Sequence, residues 1–286
     1  MLSVPMLLLA LSSDASPFQP VSPSREAAEE MVMFHAPRWS PDGRWIVLSS
    51  NIGGDEEIWV TSADGAIRRQ LTDNDVDDSG ADWTGDGRAI TFVRETSAGP
   101  ERLMMDPDGA NVRPASRATT HAGRFVVEER MTASGQAVYA RDARTGAEHR
   151  LSTTGWAEQP AVSPDGRRII FEQRESAHVD IMSSDIALWD ARSRTVTVLG
   201  RGTDPSWFPD GRRILFKAPG LDKRTLWITI QDLDRGTRVP LAPGVHPHLS
   251  PDGRNIVFMN LGDPRSDVYL MGADDGGNRR CLTCGW

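Results

Sequence analysis

Eight side chains in this 286-residue sequence are of types that could do chemistry together. Three are histidines, His35, His246 and His248, and the others are Arg38, Asp82, Glu158, Gln159 and Asp204. Imidazole mixed with carboxylate or carboxamide is a donor set that suits manganese, zinc and similar ions. On that reading His35, Gln159, His246 and His248 hold a metal. Without a metal, the same groups are the lining of a polar, water-filled passage.

These residues are far apart in the chain, so an architecture must gather them. Trp39-Ser40-Pro41-Asp42-Gly43-Arg44 precedes the apolar run Trp45-Ile46-Val47-Leu48. The same signal returns at Ser163–Arg167, Pro209–Arg212 and Ser250–Arg254, more weakly at Thr84–Arg88, and in degenerate form at Thr120–Arg124. Ser opens a type I turn, Pro presets φ at the second position, Asp suits the third, and Gly takes the left-handed conformation at the end. Such a turn joins two antiparallel strands, and the apolar run after it is the second of them. In the first unit Glu57–Val60 and Arg68–Thr72 supply a third and a fourth strand. Six units with a period of about 42 residues predict an all-β fold, a six-bladed β-propeller of four-stranded antiparallel blades.

In a propeller the first strand of each blade lines the central channel, and the segments leading into it form one mouth. His35, Glu158, Gln159, Asp204 and His246 fall just ahead of first strands; Arg38, Asp82 and His248 fall inside them. All eight are therefore expected at one funnel, where loops carried by a rigid scaffold host binding.

The turn, the Ile58-Trp59-Val60 strand with its Asp64-Gly65 turn, and the closing Leu71-Thr72 resemble the TolB-like family of propeller repeats, from Pro37 to Thr283. The resemblance implies the fold and leaves function open. Such repeats occur in the Tol-system periplasmic protein, as the gating domain of prolyl oligopeptidase-like peptidases, and in oligogalacturonate lyases. The Val245–Gly253 segment is similar to a His-Pro-His stretch of those lyases, in which histidines and a glutamine hold manganese for β-elimination on a uronate. The Tol-system protein carries an α/β domain ahead of its propeller, so its partners are not carried over.

Composition narrows the classes. A net charge of −8 and a pI of about 5.3 leave no excess of Lys and Arg to neutralise phosphates, against nucleic acid or an anionic membrane as bulk partner. The apolar stretch Met1–Leu11, ending in the small residues Ser13 and Ala15, reads as a secretory signal over residues 1–15 without a positive n-region. It is too short to span a bilayer. Residues 16–36 read as a linker rich in proline, and 37–286 as the propeller. Arg25–Met33 fits either a short helix or an outer strand docked on the last blade.

Cys281 and Cys284 are too few for a disulfide scaffold and make half a zinc site. They read as plain tail cysteines, with a small-loop disulfide open to an exported protein. The acidic run Asp73–Asp78 departs from a calcium loop, which needs Gly where Asp78 stands and Glu where Thr84 stands. It reads as a solvated inter-blade loop. Trp39, Trp83 and Trp207 share one repeat position and Trp59, Trp189 and Trp227 another, which points to packing between blades; Trp156 and Trp286 are left as candidates for surface contact. Neither a Gly-x-Ser-x-Gly elbow nor a phosphate-binding loop is present.

The expectation is a non-enzymatic scaffold, periplasmic or secreted, monomeric and without cofactor, that binds a protein or peptide partner at the channel mouth. The alternative is a metal-dependent polysaccharide lyase of the oligogalacturonate type, with manganese or calcium in the funnel. A third reading is a regulatory propeller detached from a peptidase domain.

Overall fold

The repeated turns divide the chain into hairpins, and their bonds show why these residue types recur. Gly43 N donates to Ser40 O at 2.9 Å, closing the turn. Ser40 Oγ donates to Asp42 Oδ1 at 2.6 Å, and Trp45 N donates back to Ser40 Oγ at 2.9 Å. The Ser40 hydroxyl holds the Asp42 carboxyl below the usual range. Gly43 sits at φ 70°, which a side chain would oppose. The same Ser–Asp bond forms at Ser163–Asp165 and Ser250–Asp252, and its threonine version at Thr84–Asp86.

The computed structural model describes residues 32–115, 120–122, 124–152, 155–177, 183–222, 224–260 and 265–286. The described residues contain 24 strands, β1–β24 in chain order, in six antiparallel sheets of four consecutive strands each. The first strands of the blades are β1 (Phe34–Trp39), β5 (Asp78–Trp83), β9 (Thr120–Ala122), β13 (Trp156–Val162), β17 (Thr203–Trp207) and β21 (Val245–Leu249). Neighbouring first strands lie against one another: β1 against β5 and β21, and β17 against β13 and β21. The six blades are arranged in a ring, a six-bladed β-propeller.

The core lies between blades. Leu48 packs with Val257 and Met259 of the last blade, whereas its neighbour Val47 packs with Ile90 and Phe92 of the second. Likewise Phe171 joins Phe125 and Val127 of the third blade, and Ile170 joins Ile214 and Phe216 of the fifth. Both faces of a second strand are buried, so it reads as a continuous apolar run and not as an alternation.

The propeller begins at Phe34, three residues ahead of the boundary read at 37; Phe34 is fully buried in the seam between the last and first blades. Of the segment Arg25–Met33, only Val32 and Met33 are described, and neither is in a strand. The expected signal and nearly all of the linker lie outside the described residues.

Blade three corrects the sequence reading. Thr120–Ala122 is the first strand itself and not the turn, because Ala122 pairs with Phe125 and only two residues connect them. In blade one Trp39 pairs with Ile46 across a six-residue connection. The shortened hairpin accounts for the short spacing of this repeat.

The seam between blades six and one closes without an exchanged strand. Trp286 lies 5.5 Å, centroid to centroid, from both Phe34 and Trp59, so it is a packing residue and not the surface contact expected of it. Arg280 donates to Ala63 O and Asp64 O across the seam. Cys281 and Cys284 form a disulfide, where plain thiols were the expectation. The acidic run also ends inside the fold. Asp78 is fully buried and ion-paired to Arg94 at 2.7 Å, and the buried Glu57, its carboxyl raised by burial, accepts Asn74 N at 2.6 Å.

Candidate functional site

The funnel is built by one device repeated around the ring. Pairing between first and second strands slips between His35 and Arg38, Ser79 and Asp82, Glu158 and Ala161, Thr203 and Ser206, and Val245 and His248. Each slip is a β-bulge with two unpaired residues. The first always has positive φ: Ala36 43°, Gly80 62°, Gln159 53°, Asp204 54° and His246 50°. The second is proline in four of the five, which suits a bulge because proline has no N–H for the ladder. Residues expected just ahead of the first strands therefore lie inside them, at the bulge. A left-handed conformation costs a residue with a Cβ about 1–2 kcal/mol. Bulges re-aim side chains, and this one aims Gln159, Asp204 and His246 from three consecutive blades into the mouth.

The expected residues fall on two arcs. Gln159, Asp204 and His246 form the bulge level of blades four to six. His248, Arg38 and Asp82 form the level two residues deeper, on blades six, one and two, opposite Val257, Val47 and Thr91. His35 and Glu158 lie one residue above the bulge, opposite Ser49 and Glu172.

Second strands supply partners that the sequence reading missed. Lys217, on β18 (Arg213–Pro219), is 6 % exposed and places Nζ 2.7 Å from Asp204 Oδ2. His246 Nδ1 is 3.8 Å from the same oxygen. Burial pushes the Asp204 carboxyl up, but the charge and hydrogen bond of Lys217, with His246 and Gln159, hold it below the usual range. Gln159 N donates to Glu129 Oε1 at 2.7 Å, on β10 (Phe125–Thr132) of the preceding blade. Glu158 is 2.6 Å from Arg174, which also meets Glu172 at 3.0 Å, and Trp156 Nε1 donates to Glu158 at 3.0 Å. The signal for these partners was a charge inside a buried apolar run, as in Ile214-Leu215-Phe216-Lys217.

The two histidines of the last blade are neutral at pH 7. Burial, then the charge of Lys217, lowers His246 to about 4 in spite of Asp204. Burial, then Arg38, lowers His248 to about 3, and His248 Nδ1 accepts Trp39 N at 3.1 Å. Burial raises the Asp82 carboxyl against the pull of Arg38. Arg38 Nη1 donates to Pro37 O at 3.2 Å, and among the described residues no carboxylate lies within 4.0 Å of its guanidinium.

Three of the four expected metal ligands stand apart in this geometry. The donor atoms of His35, His246 and His248 do not all lie within 4.8 Å of one another. Asp267, Cys281 and Cys284 do converge, but the two sulfurs are bonded to each other.

A family model of the TolB beta propeller domain matches residues 22–194. The chain belongs to this family. Among solved structures, TolB from Acinetobacter baumannii aligns with a TM-score of 0.57 at 18 % identity, over 75 % of this chain and 56 % of that one. The putative TolB from Agrobacterium tumefaciens aligns with a TM-score of 0.52 at 20 % identity, over 84 % of this chain and 90 % of that one. An uncharacterized protein of Agrobacterium fabrum is 33 % identical over 84 residues, 27 % of this chain and 29 % of the relative. The chain thus spans under a third of that relative and just over half of the Acinetobacter TolB. Among the described residues this TolB-like propeller has no helix long and apolar enough to cross a membrane.

Proposed function

We propose that this TolB-like propeller is a non-enzymatic, monomeric binding module, exported to the periplasm or secreted, that takes a protein or peptide segment at the channel mouth without a cofactor. One observation carries the reading. Gln159, Asp204 and His246 hold left-handed backbone at equivalent bulges, and where the same position carries no polar group it is Gly80 or Ala36. Strain kept in place of a permissive glycine is a mark of a working surface. Polar groups ringing a preformed concavity suit backbone and side-chain hydrogen bonding to an extended segment. The Cys281–Cys284 disulfide and the apolar Met1–Leu11 stretch support an oxidising, extracytoplasmic compartment.

The test is capture from periplasmic extract by wild-type protein and by a Gln159→Gly/His246→Gly double variant, read by mass spectrometry. Glycine keeps the left-handed backbone while removing the side chains, so the fold is retained. The reading expects a partner that the double variant loses at unchanged circular dichroism. An identical captured set would overturn it.

A further inference from the structure

Three charged groups of the funnel, Arg38, Asp82 and Glu129, have no ion-pair partner within 4.0 Å among the described residues, and Arg38 is the cation among them. Asp204 is paired with Lys217, and Glu158 and Glu172 share Arg174. Glu129 accepts the Gln159 N–H, and Asp82 accepts the Trp83 N–H at 2.8 Å. Arg38 has five N–H groups in a planar fork. The structure gives it one partner, the carbonyl of its own neighbour Pro37, with no carboxylate within 4.0 Å among the described residues. It is half-buried on the deeper level of the channel, so water satisfies it less fully than at an open surface.

Its neighbours on the last blade are two imidazoles. The cations Lys217 and Arg38 and the side chain of His35 all bear on His246, and Arg38 bears on His248. Neutral imidazoles can each donate one N–H without charge. The Thr203 hydroxyl, 5 % exposed, makes no hydrogen bond among the described residues; Thr203 pairs with Lys217 across the ladder, so both side chains are on one face. Ser206 Oγ, two residues past the Asp204 bulge, is likewise buried and without a partner among the described residues. A carboxylate bound at Arg38 would meet a charged fork beside two neutral imidazoles. Asp82, on the same level of the next blade, feels the charge of Arg38 without an ion pair to it.

We propose that Arg38 is the receptor for a carboxylate of the bound segment, seated on the deeper level between blades six and two and flanked by His246 and His248. This rests on the peptide-binding reading and adds the chemistry that the mouth selects. The carboxylate can come from an Asp or Glu side chain or from a C-terminus, since both offer the same two oxygens to the fork. Lysine in place of Arg38 keeps the charge and loses the bidentate geometry.

The experiment is a peptide array of random 15-residue sequences, printed once tethered by the N-terminus and once by the C-terminus, probed with labelled full-length protein. Variants Arg38→Gln and Arg38→Lys are probed alongside Arg167→Gln, a control at the exposed hairpin end of blade four. Binders should be enriched in Asp and Glu, or confined to the array with free C-termini. Arg38→Gln should weaken them about ten- to a hundredfold, Arg38→Lys by less, and Arg167→Gln not at all. Binders without carboxylate enrichment, or binders that keep their affinity in Arg38→Gln, would overturn the carboxylate receptor and leave peptide binding standing. An array with no binder that depends on the Gln159 and His246 side chains would overturn the peptide-binding reading itself, and this inference with it.

Discussion

Exchanging alanine and glycine at two equivalent bulges should move stability in opposite directions. Ala36 and Gly80 occupy the same position in blades one and two, at φ 43° and 62°. A Cβ built on Gly80 meets nothing within 4 Å, so Gly80→Ala adds no clash and isolates the backbone effect. The left-handed conformation costs the added Cβ about 1–2 kcal/mol. Restricting the unfolded chain returns about 0.4–1 kcal/mol. The net is a loss of roughly 0.5–1 kcal/mol for Gly80→Ala and a gain of similar size for Ala36→Gly. For a domain of this size that is a shift of about 1–4 °C in Tm. Differential scanning calorimetry reads it, with Ser79→Ala and Ser79→Gly as the control, where alanine should be the more stable. If Ala36→Gly melts below wild type while Gly80→Ala melts above it, the bulge is not left-handed and the case for strain at Gln159, Asp204 and His246 falls.

Other outcomes follow from the same contacts. Lys217→Met strips Asp204 of its cation inside the funnel and should cost about 3 kcal/mol at pH 7 in denaturant titrations; the loss should shrink toward pH 5 as the carboxyl, now raised by unopposed burial, takes a proton. His246 and His248 have folded pKa values near 4 and 3, below the unfolded value near 6.5. The stability they confer by staying neutral is therefore complete above pH 6.5 and lost as pH falls toward 4 and 3. The slope of stability against pH in that window should flatten in His248→Gln. Gly135→Ala would place a Cβ 1.8 Å from Gly155 O and should lower stability by more than about 2 kcal/mol, or prevent folding, as read by circular dichroism. Trp286→Ala opens the last seam and should cost about 2–3 kcal/mol, with calorimetry still showing one transition.

The fold was legible because its signal is local and repeated. Each Ser-Pro-Asp-Gly turn or close variant carries its own hydrogen bonds, so three copies, two variants and a degenerate sixth announced six hairpins before any tertiary contact was known. Blade three misled because Thr120–Arg124 aligns with the turn by composition, while the hairpin had lost four residues and drawn Thr120–Ala122 into the strand. The funnel residues were legible as a ring, since repeat equivalence places Gln159, Asp204 and His246 together. Their bulge was not, because an extra residue in a strand leaves no mark in polarity; the recurrent proline after it was the trace. Lys217, Glu129 and Arg174 escaped because their pairing to Asp204, Gln159 N and Glu158 is set across strands and blades. The disulfide was open to either reading, since a spacing of three says nothing of the redox state. Trp286 was misjudged because a residue outside the repeat has no equivalent from which to infer packing.

The most direct test of the central claim is site-specific photo-crosslinking from the mouth. A photoreactive residue at Ser79, on the inner strand beside the bulge, is compared with one at Arg194, in the outer turn of blade four, in protein exposed to periplasmic extract. A polypeptide crosslinked from position 79, absent from position 194 and lost in Gln159→Gly/His246→Gly, is the result that binding at the mouth requires. Crosslinks from position 194 alone, or equal yields from both sites, would place the interaction on the outer surface and contradict it.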